Sequence, residues 1–303
     1  MKIINAKISD KNLIFEPICA AIGNFDGVHL GHQKLIEECK KHGYKSAVLT
    51  FYPHPSVFLK KISDYKLITP MQHKADLFCH MGIDYLIIVE LNDEVANVSK
   101  EDFISFMKSL NIKSCVCGYD FTFGKRAEGN IIDLQKNFEF YEVKKVIFDN
   151  VRVSSTYIRE LLYIGNIPQV NRLLGRPYSV RGKVTYGSQK GRLIGFPTAN
   201  LEYNDYILPV NGVYFVTIYY NNVYYYGMCN IGNNPTFNYS YQKRFEVNIF
   251  GLDEDIYGDV IEVIFHHKIR DEIAFKSKEL LIEQLKKDKL KCYELSANYN
   301  FTK

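Results

Sequence analysis

The sequence predicts two domains of different class: an α/β domain on a parallel sheet over residues 1–176, and an antiparallel β-barrel with a terminal helix over residues 177–303. Three observations carry this reading. Strand-like and helix-like apolar patterns alternate through the first half. The rhythm changes at Leu174-Gly175-Arg176-Pro177. Beyond it the apolar runs are short, aromatic or β-branched, and separated by Gly, Asn, Asp and Pro. A chain of 303 residues has room for two cores.

In the first half, Ile18 to Phe25 is an apolar run that stops at Gly-Asn-Phe-Asp-Gly, where a strand would turn. Leu35, Ile36 and Cys39 then repeat at helical spacing, and Lys45 to Phe51 resumes as a strand. Tyr85 to Leu91, Ser114 to Gly118 and Phe140 to Ile147 are further strand candidates. Helices are expected over Met71 to Met81 and over Ser99 to Leu110, with Ser99 as N-cap. Such alternation predicts a doubly wound sheet with ligands at the carboxyl ends of its strands. In the second half, Gly212 to Tyr220, Val223 to Met228, Phe245 to Phe250 and Val260 to Phe265 read as antiparallel strands. Ser277 then caps a helix carrying Leu281, Gln284, Leu285 and Asp288.

Composition narrows the function classes. The net charge of +4, from 38 basic and 34 acidic residues, is too small to point to nucleic acid. Lys144-Lys145 and Lys286-Lys287 are read as solvated faces, and Tyr219-Tyr220 and Tyr224-Tyr225-Tyr226 as sheet packing. The seven cysteines are expected to be buried free thiols in a reducing cytosol. Cys115-Val116-Cys117 is discounted as a metal pair on the expectation that a strand sends the two thiols to opposite faces, and no second pair completes a zinc site. Met1-Lys2-Ile3-Ile4-Asn5 lacks a signal-peptide core, and no apolar run reaches membrane-spanning length. A soluble cytoplasmic protein is therefore expected.

Two glycine-bearing segments suggest phosphate chemistry, although no GxxxxGK[ST] loop occurs. The first is Gly23-Asn24-Phe25-Asp26-Gly27-Val28-His29-Leu30-Gly31-His32. At a helix start, unpaired N–H groups favour phosphate, and two imidazoles in one turn can donate to oxygens that gain charge during attack at phosphorus. The same pattern also arises from two polar residues that merely begin a helix. Zinc fits poorly, because the protease motif places His at i and i+4 with an intervening Glu. Val153-Ser154-Ser155-Thr156-Tyr157-Ile158-Arg159 offers hydroxyls and a guanidinium at another helix start, or a plain cap followed by a surface arginine. The second segment is Gly191-Arg192-Leu193-Ile194-Gly195-Phe196-Pro197-Thr198-Ala199-Asn200. In extended chain Thr198 and Asn200 would project on one side as hard oxygen ligands for Mg²⁺, or simply stand at a strand edge.

These segments, with Phe51-Tyr52-Pro53-His54-Pro55 and Gly118-Tyr119-Asp120-Phe121-Thr122-Phe123-Gly124-Lys125, resemble the prokaryotic bifunctional riboflavin kinase/FAD synthetase family. In the second half the resemblance continues through Asn211-Gly212-Val213-Tyr214, Asn230-Ile231-Gly232-Asn233-Asn234-Pro235-Thr236-Phe237, Phe245-Glu246-Val247-Asn248-Ile249, Asp255-Ile256-Tyr257-Gly258 and Arg270-Asp271-Glu272. It implies a Rossmann-like nucleotidyltransferase domain followed by a riboflavin kinase barrel, both using MgATP.

By this resemblance riboflavin is phosphorylated to FMN, and FMN is adenylylated to FAD with release of pyrophosphate. The resemblance implies that Gly23, Asn24, Phe25, His29, His32, Ser155, Thr156 and Arg159 hold ATP in the first domain. Phe51, Asp120 and Phe121 would meet the flavin, core packing being an equal account of both phenylalanines. In the barrel, Gly191, Arg192, Gly195, Thr198 and Asn200 would hold ATP, the last two with Mg²⁺, and Glu246 would be the general base. Asn248 departs from the family, which often has His there. Rival readings are a member with one activity, or a flavin-sensing regulator on the same scaffold; a regulator predicts loss of His29, His32, Thr198, Asn200 or Glu246, and all five are present. Partners other than small molecules, and the oligomeric state, are not indicated.

Overall fold

The computed structural model of the chain describes residues 1–58, 65–187, 191–233, 243–297 and 299. By contact it divides into two compact units, Met1–Ser155 and Thr156–Lys303.

The first unit is built on six strands: β1 (Lys2–Ala6), β2 (Ile18–Ile22), β3 (Lys45–Tyr52), β4 (Tyr85–Glu90), β5 (Ile112–Gly118) and β6 (Glu139–Val143). All pairings are parallel, in the order β1-β4-β3-β2-β5-β6. The chain winds outward from β2 to β3 and β4, then returns to β5 on the other side of β2. Order therefore reverses between β2 and β5, and the crevice beyond their carboxyl ends is where such sheets bind ligands.

Helices α1 (Leu30–Cys39), α2 (Met71–His80) and α3 (Lys100–Ser109) cover the faces. Period-two alternation splits the core between them. Ile18, Ala20, Ile22, Leu49, Cys115 and Cys117 pack with α3, whereas Cys19, Ala21, Val48, Leu86 and Val116 pack with α1 and α2. Every residue of β2 is buried, as a strand covered on both faces requires. The Ser99 cap forms, its side chain accepting from the Asp102 N–H.

Two cysteine expectations need correction. Cys115 and Cys117 share a face, because residues two apart on a strand point the same way. They are hydrogen-bonded neighbours, and burial raises the Cys117 pKa. Six cysteines are buried, but Cys79 is exposed. The strand expected to reach Ile147 ends at Val143, and the edge strand β1 had no counterpart in the expectation.

The division falls after the first residue of α4 (Ser155–Ile164); then come α5 (Ile167–Leu174) and strands β7 (Tyr178–Thr185), β8 (Ala199–Glu202), β9 (Gly212–Tyr220), β10 (Val223–Gly232), β11 (Arg244–Ile249) and β12 (Val260–Arg270). They close a barrel in the order β7-β8-β11-β10-β9-β12, antiparallel throughout. Phe265 sits among Tyr178, Tyr214 and Phe245, with ring centroids 5.8, 5.6 and 5.9 Å away. Tyr219 and Tyr224 meet as a cross-strand pair at 4.9 Å, as sheet packing requires.

Helix α5 buries Ile167, Val170, Leu173 and Leu174. The Asn171 amide donates to the Phe265 carbonyl at 2.9 Å and accepts from the Tyr178 N–H at 2.7 Å. These ties to β12 and β7 are why the contact division precedes α5, while the boundary expected from composition falls after it. Helix α6 (Lys278–Ser296), capped by Ser277, is anchored by the buried Asp288, which accepts from Arg270 at 2.7–3.1 Å.

Candidate active sites

The loop from β2 to α1 is strained. Phe25, Gly27 and Val28 take φ of 52°, 88° and 44°, a region costly for aromatic and β-branched residues. Its surroundings hold it there. The Phe25 ring is fully buried, edge-on to Phe78 at 5.6 Å. The Asp26 carboxylate accepts from the N–H groups of Ile68 and Thr69 at 2.9 and 3.2 Å. The Asp26 carbonyl accepts the Ser155 hydroxyl at 2.8 Å, and the Asn24 carbonyl accepts the Lys74 ammonium at 3.0 Å.

His29 caps α1: its Nδ1 accepts from the His32 N–H at 3.3 Å. An accepting Nδ1 leaves the proton of a neutral ring on Nε2, so the cap also fixes a donor on the far side of the imidazole. The rings of His29 and His32 stack at 3.6 Å and 13°, with Phe25 5.2 Å behind His32. Gly31 leaves room for this packing, since a Cβ there would come within 3.1 Å of His29 ring atoms.

A cavity of about 1480 Å³ opens at the switch point of the sheet. Gly23, Asn24, His29, His32 and Ser155 line it, together with Phe51, Asp120 and Phe121. Phe25 is not in the lining; it shapes the loop through its backbone while its ring joins the core. Thr156 and Arg159 lie on α4 beyond the division, exposed and half-buried respectively. Asp120 accepts from Arg152 at 2.7 Å, and Arg152 also lies over the Tyr119 ring at 5.3 Å. Lys144 and Lys145 are exposed as expected, yet they border the cavity, as do Lys125 and Arg126. This basic rim suits an anionic occupant.

The residue that sequence reasoning missed is Lys74. It is 2% exposed on α2, and burial pushes its pKa down to about 8 against the pull of Asp26. The available signal was a lysine four residues before Phe78, on the helix stripe that also carries Ala75.

In the second unit, register assembles a polar row. Asn200 on β8 stands opposite Glu246 on β11, and Glu246 stands opposite Asn230 on β10. Phe245 and Val247 are buried, as expected from alternation. The Glu246 carboxylate is 3.7 Å from the Arg244 Nε. Pairing of β8 with β10 through β11 joins residues far apart in sequence, which is why Asn230 was not singled out for this role.

Thr198, just before β8, lines a cavity of about 80 Å³ with Arg192, Asp255 and Tyr257. Gly191, Gly195, Asn200 and Glu246 do not line it. Gly191 lets its loop fold back: Phe196 N–H donates to the Gly191 carbonyl at 2.9 Å, and a Cβ at Gly191 would lie 2.3 Å from the Phe196 carbonyl oxygen. Gly195 has φ of 80° at the turn. Asn200 is half-buried, and the Gly187 backbone passes close to its amide, since a Cβ on Gly187 would fall 1.9 Å from its Nδ2. Asn248 is 6% exposed and donates from Nδ2 to the Pro197 carbonyl at 2.5 Å. The Asn234-Pro235-Thr236-Phe237 part of the motif lies outside the described residues.

Comparison with known proteins agrees with this division of chemistry. Residues 12–157 match the family model described as FAD synthetase, and residues 174–296 match the one described as riboflavin kinase. A Bacillus subtilis protein named bifunctional riboflavin kinase/FMN adenylyltransferase is 40% identical over 294 residues, spanning 92% of each chain. A Listeria monocytogenes protein of the same name is 39% identical, over 88% of this chain and 89% of its own. Among solved structures, a Streptococcus pneumoniae chain described as a macrolide-efflux protein is similar with a TM-score of 0.88 and 31% identity, covering 98% of this chain and all of that one. No helix among the described residues here is long and apolar enough to cross a membrane.

Proposed function

Because the chain belongs to the bifunctional riboflavin kinase/FMN adenylyltransferase family, we propose that its two units carry out consecutive steps of FAD synthesis in the cytoplasm, on small molecules and not on nucleic acid. In the barrel, the ribityl 5′-hydroxyl of riboflavin attacks the γ-phosphorus of MgATP; Glu246 accepts its proton, and ADP leaves as FMN forms. In the α/β unit, a phosphate oxygen of FMN attacks the α-phosphorus of a second ATP. The P–O bond to the β-phosphate breaks, and pyrophosphate leaves as FAD forms.

One observation carries the reading most: the stacked His29–His32 pair at the α1 start, lining the large cavity at the sheet's switch point. The Nε2 donor fixed on His29 suits an oxygen that gains charge as the pentavalent phosphorus forms. Ser155 closes the loop through Asp26 and begins the next helix, α4. Phe51 and Phe121 supply apolar surface for an isoalloxazine, and Asp120 with Arg152 a polar edge. In the barrel, Thr198 and Asn200 are oxygen donors of the kind Mg²⁺ takes alongside phosphates and water. The metal would supply charge neutralisation for the transferred phosphoryl group; Arg192 and the folded Gly191–Gly195 turn would hold the nucleotide.

Incubating the protein with riboflavin and MgATP and separating the flavins over time tests both steps. FMN should appear first and FAD after it. The His29→Ala/His32→Ala protein should still make FMN while FAD formation falls at least about a hundredfold. Glu246→Gln should cut FMN formation by about 10²–10⁴-fold and still convert supplied FMN to FAD. Parent-like FAD synthesis in the double-His variant would remove the histidines from the reaction.

A further inference from the structure

The Thr198 hydroxyl, just before β8, follows one peptide, and the carbonyl of that peptide is held by Asn248. The β8–β11 ladder begins at Ala199 opposite Val247. Upstream of it the chain is a folded-back loop, closed on itself by the Phe196 N–H to Gly191 carbonyl bond of 2.9 Å. Pro197 joins loop to strand and has no N–H to offer a ladder. Its carbonyl instead accepts the Asn248 amide at 2.5 Å, from a β11 side chain that is 6% exposed. A part-buried side-chain bond thus ties this carbonyl to β11 ahead of the ladder, at the residue immediately before Thr198.

We propose that Asn248 is a positioning residue of the phosphoryl-transfer site, orienting the Pro197–Thr198 peptide so that the Thr198 hydroxyl faces the triphosphate of MgATP. The inference rests on the kinase reading of the barrel. Rotation of that peptide swings the Thr198 side chain, which lines the small cavity, away from or toward its occupant. The Asn248 side chain is buried and its bond to the exposed Pro197 is part-buried, so the amide takes the place of water at that carbonyl and fixes the peptide plane. What position 248 must supply is a neutral N–H donor. An amide does this without titrating, so the role is orientation and not proton transfer. An imidazole, with an N–H on a similar stem, can supply the same donor.

Steady-state kinetics of riboflavin phosphorylation, with MgATP and riboflavin varied separately, tests this. Asn248→Asp, which keeps the size but sets a carboxylate oxygen against the Pro197 carbonyl, should raise the KM for MgATP at least about tenfold. Asn248→Ala should raise it about five- to tenfold. In both, kcat should stay within about twofold, and the riboflavin KM and adenylyl transfer to supplied FMN should stay at parent values. Asn248→His should keep the parent KM for MgATP. An unchanged KM for MgATP in the Asp variant, or a riboflavin KM that moves in its place, overturns the proposal. Thermal melting of each variant separates misfolding from misorientation, and the near-isosteric Asp variant covers failure of the Ala variant to fold. If the parent makes no FMN, the kinase reading itself falls, whatever the variants do.

Discussion

Gly31 is the residue on which the geometry of the imidazole pair turns. A methyl group there would stand 3.1 Å from two atoms of the His29 ring, closer than ordinary contact, so the ring must yield by a few tenths of an ångström. Such a shift disturbs both the Nδ1 cap and the stack on His32. Gly31→Ala, in a helix where alanine is otherwise favourable, should lower FAD formation from FMN by about tenfold or more. Riboflavin phosphorylation should be unchanged; equal loss of both rates would mean a general folding defect.

Lys74 gives a pH-dependent counterpart. Its ammonium is desolvated, with a pKa of about 8 against 10.5 in water. Below about pH 8 the lysine is charged in the folded and unfolded chains alike, so the burial cost is fully present. Between about pH 8 and 10.5 the folded chain releases its proton first, and the cost fades as pH rises. The gain is at most about 3 kcal/mol. Melting the parent and Lys74→Met proteins at pH 7.5 to 10 should show the parent gaining stability relative to the variant. Parallel curves would place the lysine in contact with water.

At the scale of elements, legibility followed burial. Strands β2 to β5 were readable because covered parallel strands are nearly continuous apolar runs, and Ser99 and Ser277 because capping chemistry is local. The edge strand β1 was not, since its residues are mostly exposed and lack a clean period. His29 and His32 stood out because their spacing lies within one helical turn. Phe25 stood out equally, yet its ring turns into the core, since a motif records which residues are near a site and not which way a ring points. The Asn230–Glu246–Asn200 row and the Asn248–Pro197 bond depend on register between distant strands, which no local pattern encodes.

For the whole molecule, the two units differ in how they should survive separation. A fragment from Thr156 to Lys303 keeps α5, with its four buried side chains and the Asn171 ties to Tyr178 and Phe265. A fragment from Tyr178 to Lys303 loses them, exposing apolar surface worth about 1.5–3 kcal/mol for each large side chain uncovered. Both are proposed to phosphorylate riboflavin when folded. The longer one should melt at the higher temperature, and equal melting would make the boundary near Arg176 the natural one.

Closure of the barrel also bears on solubility. A sheet that returns to its first strand has no outer strand left to recruit a neighbour, whereas the parallel sheet ends in β1 on one side and β6 on the other. Lys2, within β1, and Lys7, just beyond it, set charge along that outer strand, a common guard against strand-to-strand stacking between molecules. When the halves are made apart, aggregation should therefore originate in the adenylyl-transfer half, and an N-terminal tag that replaces or masks those lysines is the change most apt to provoke it.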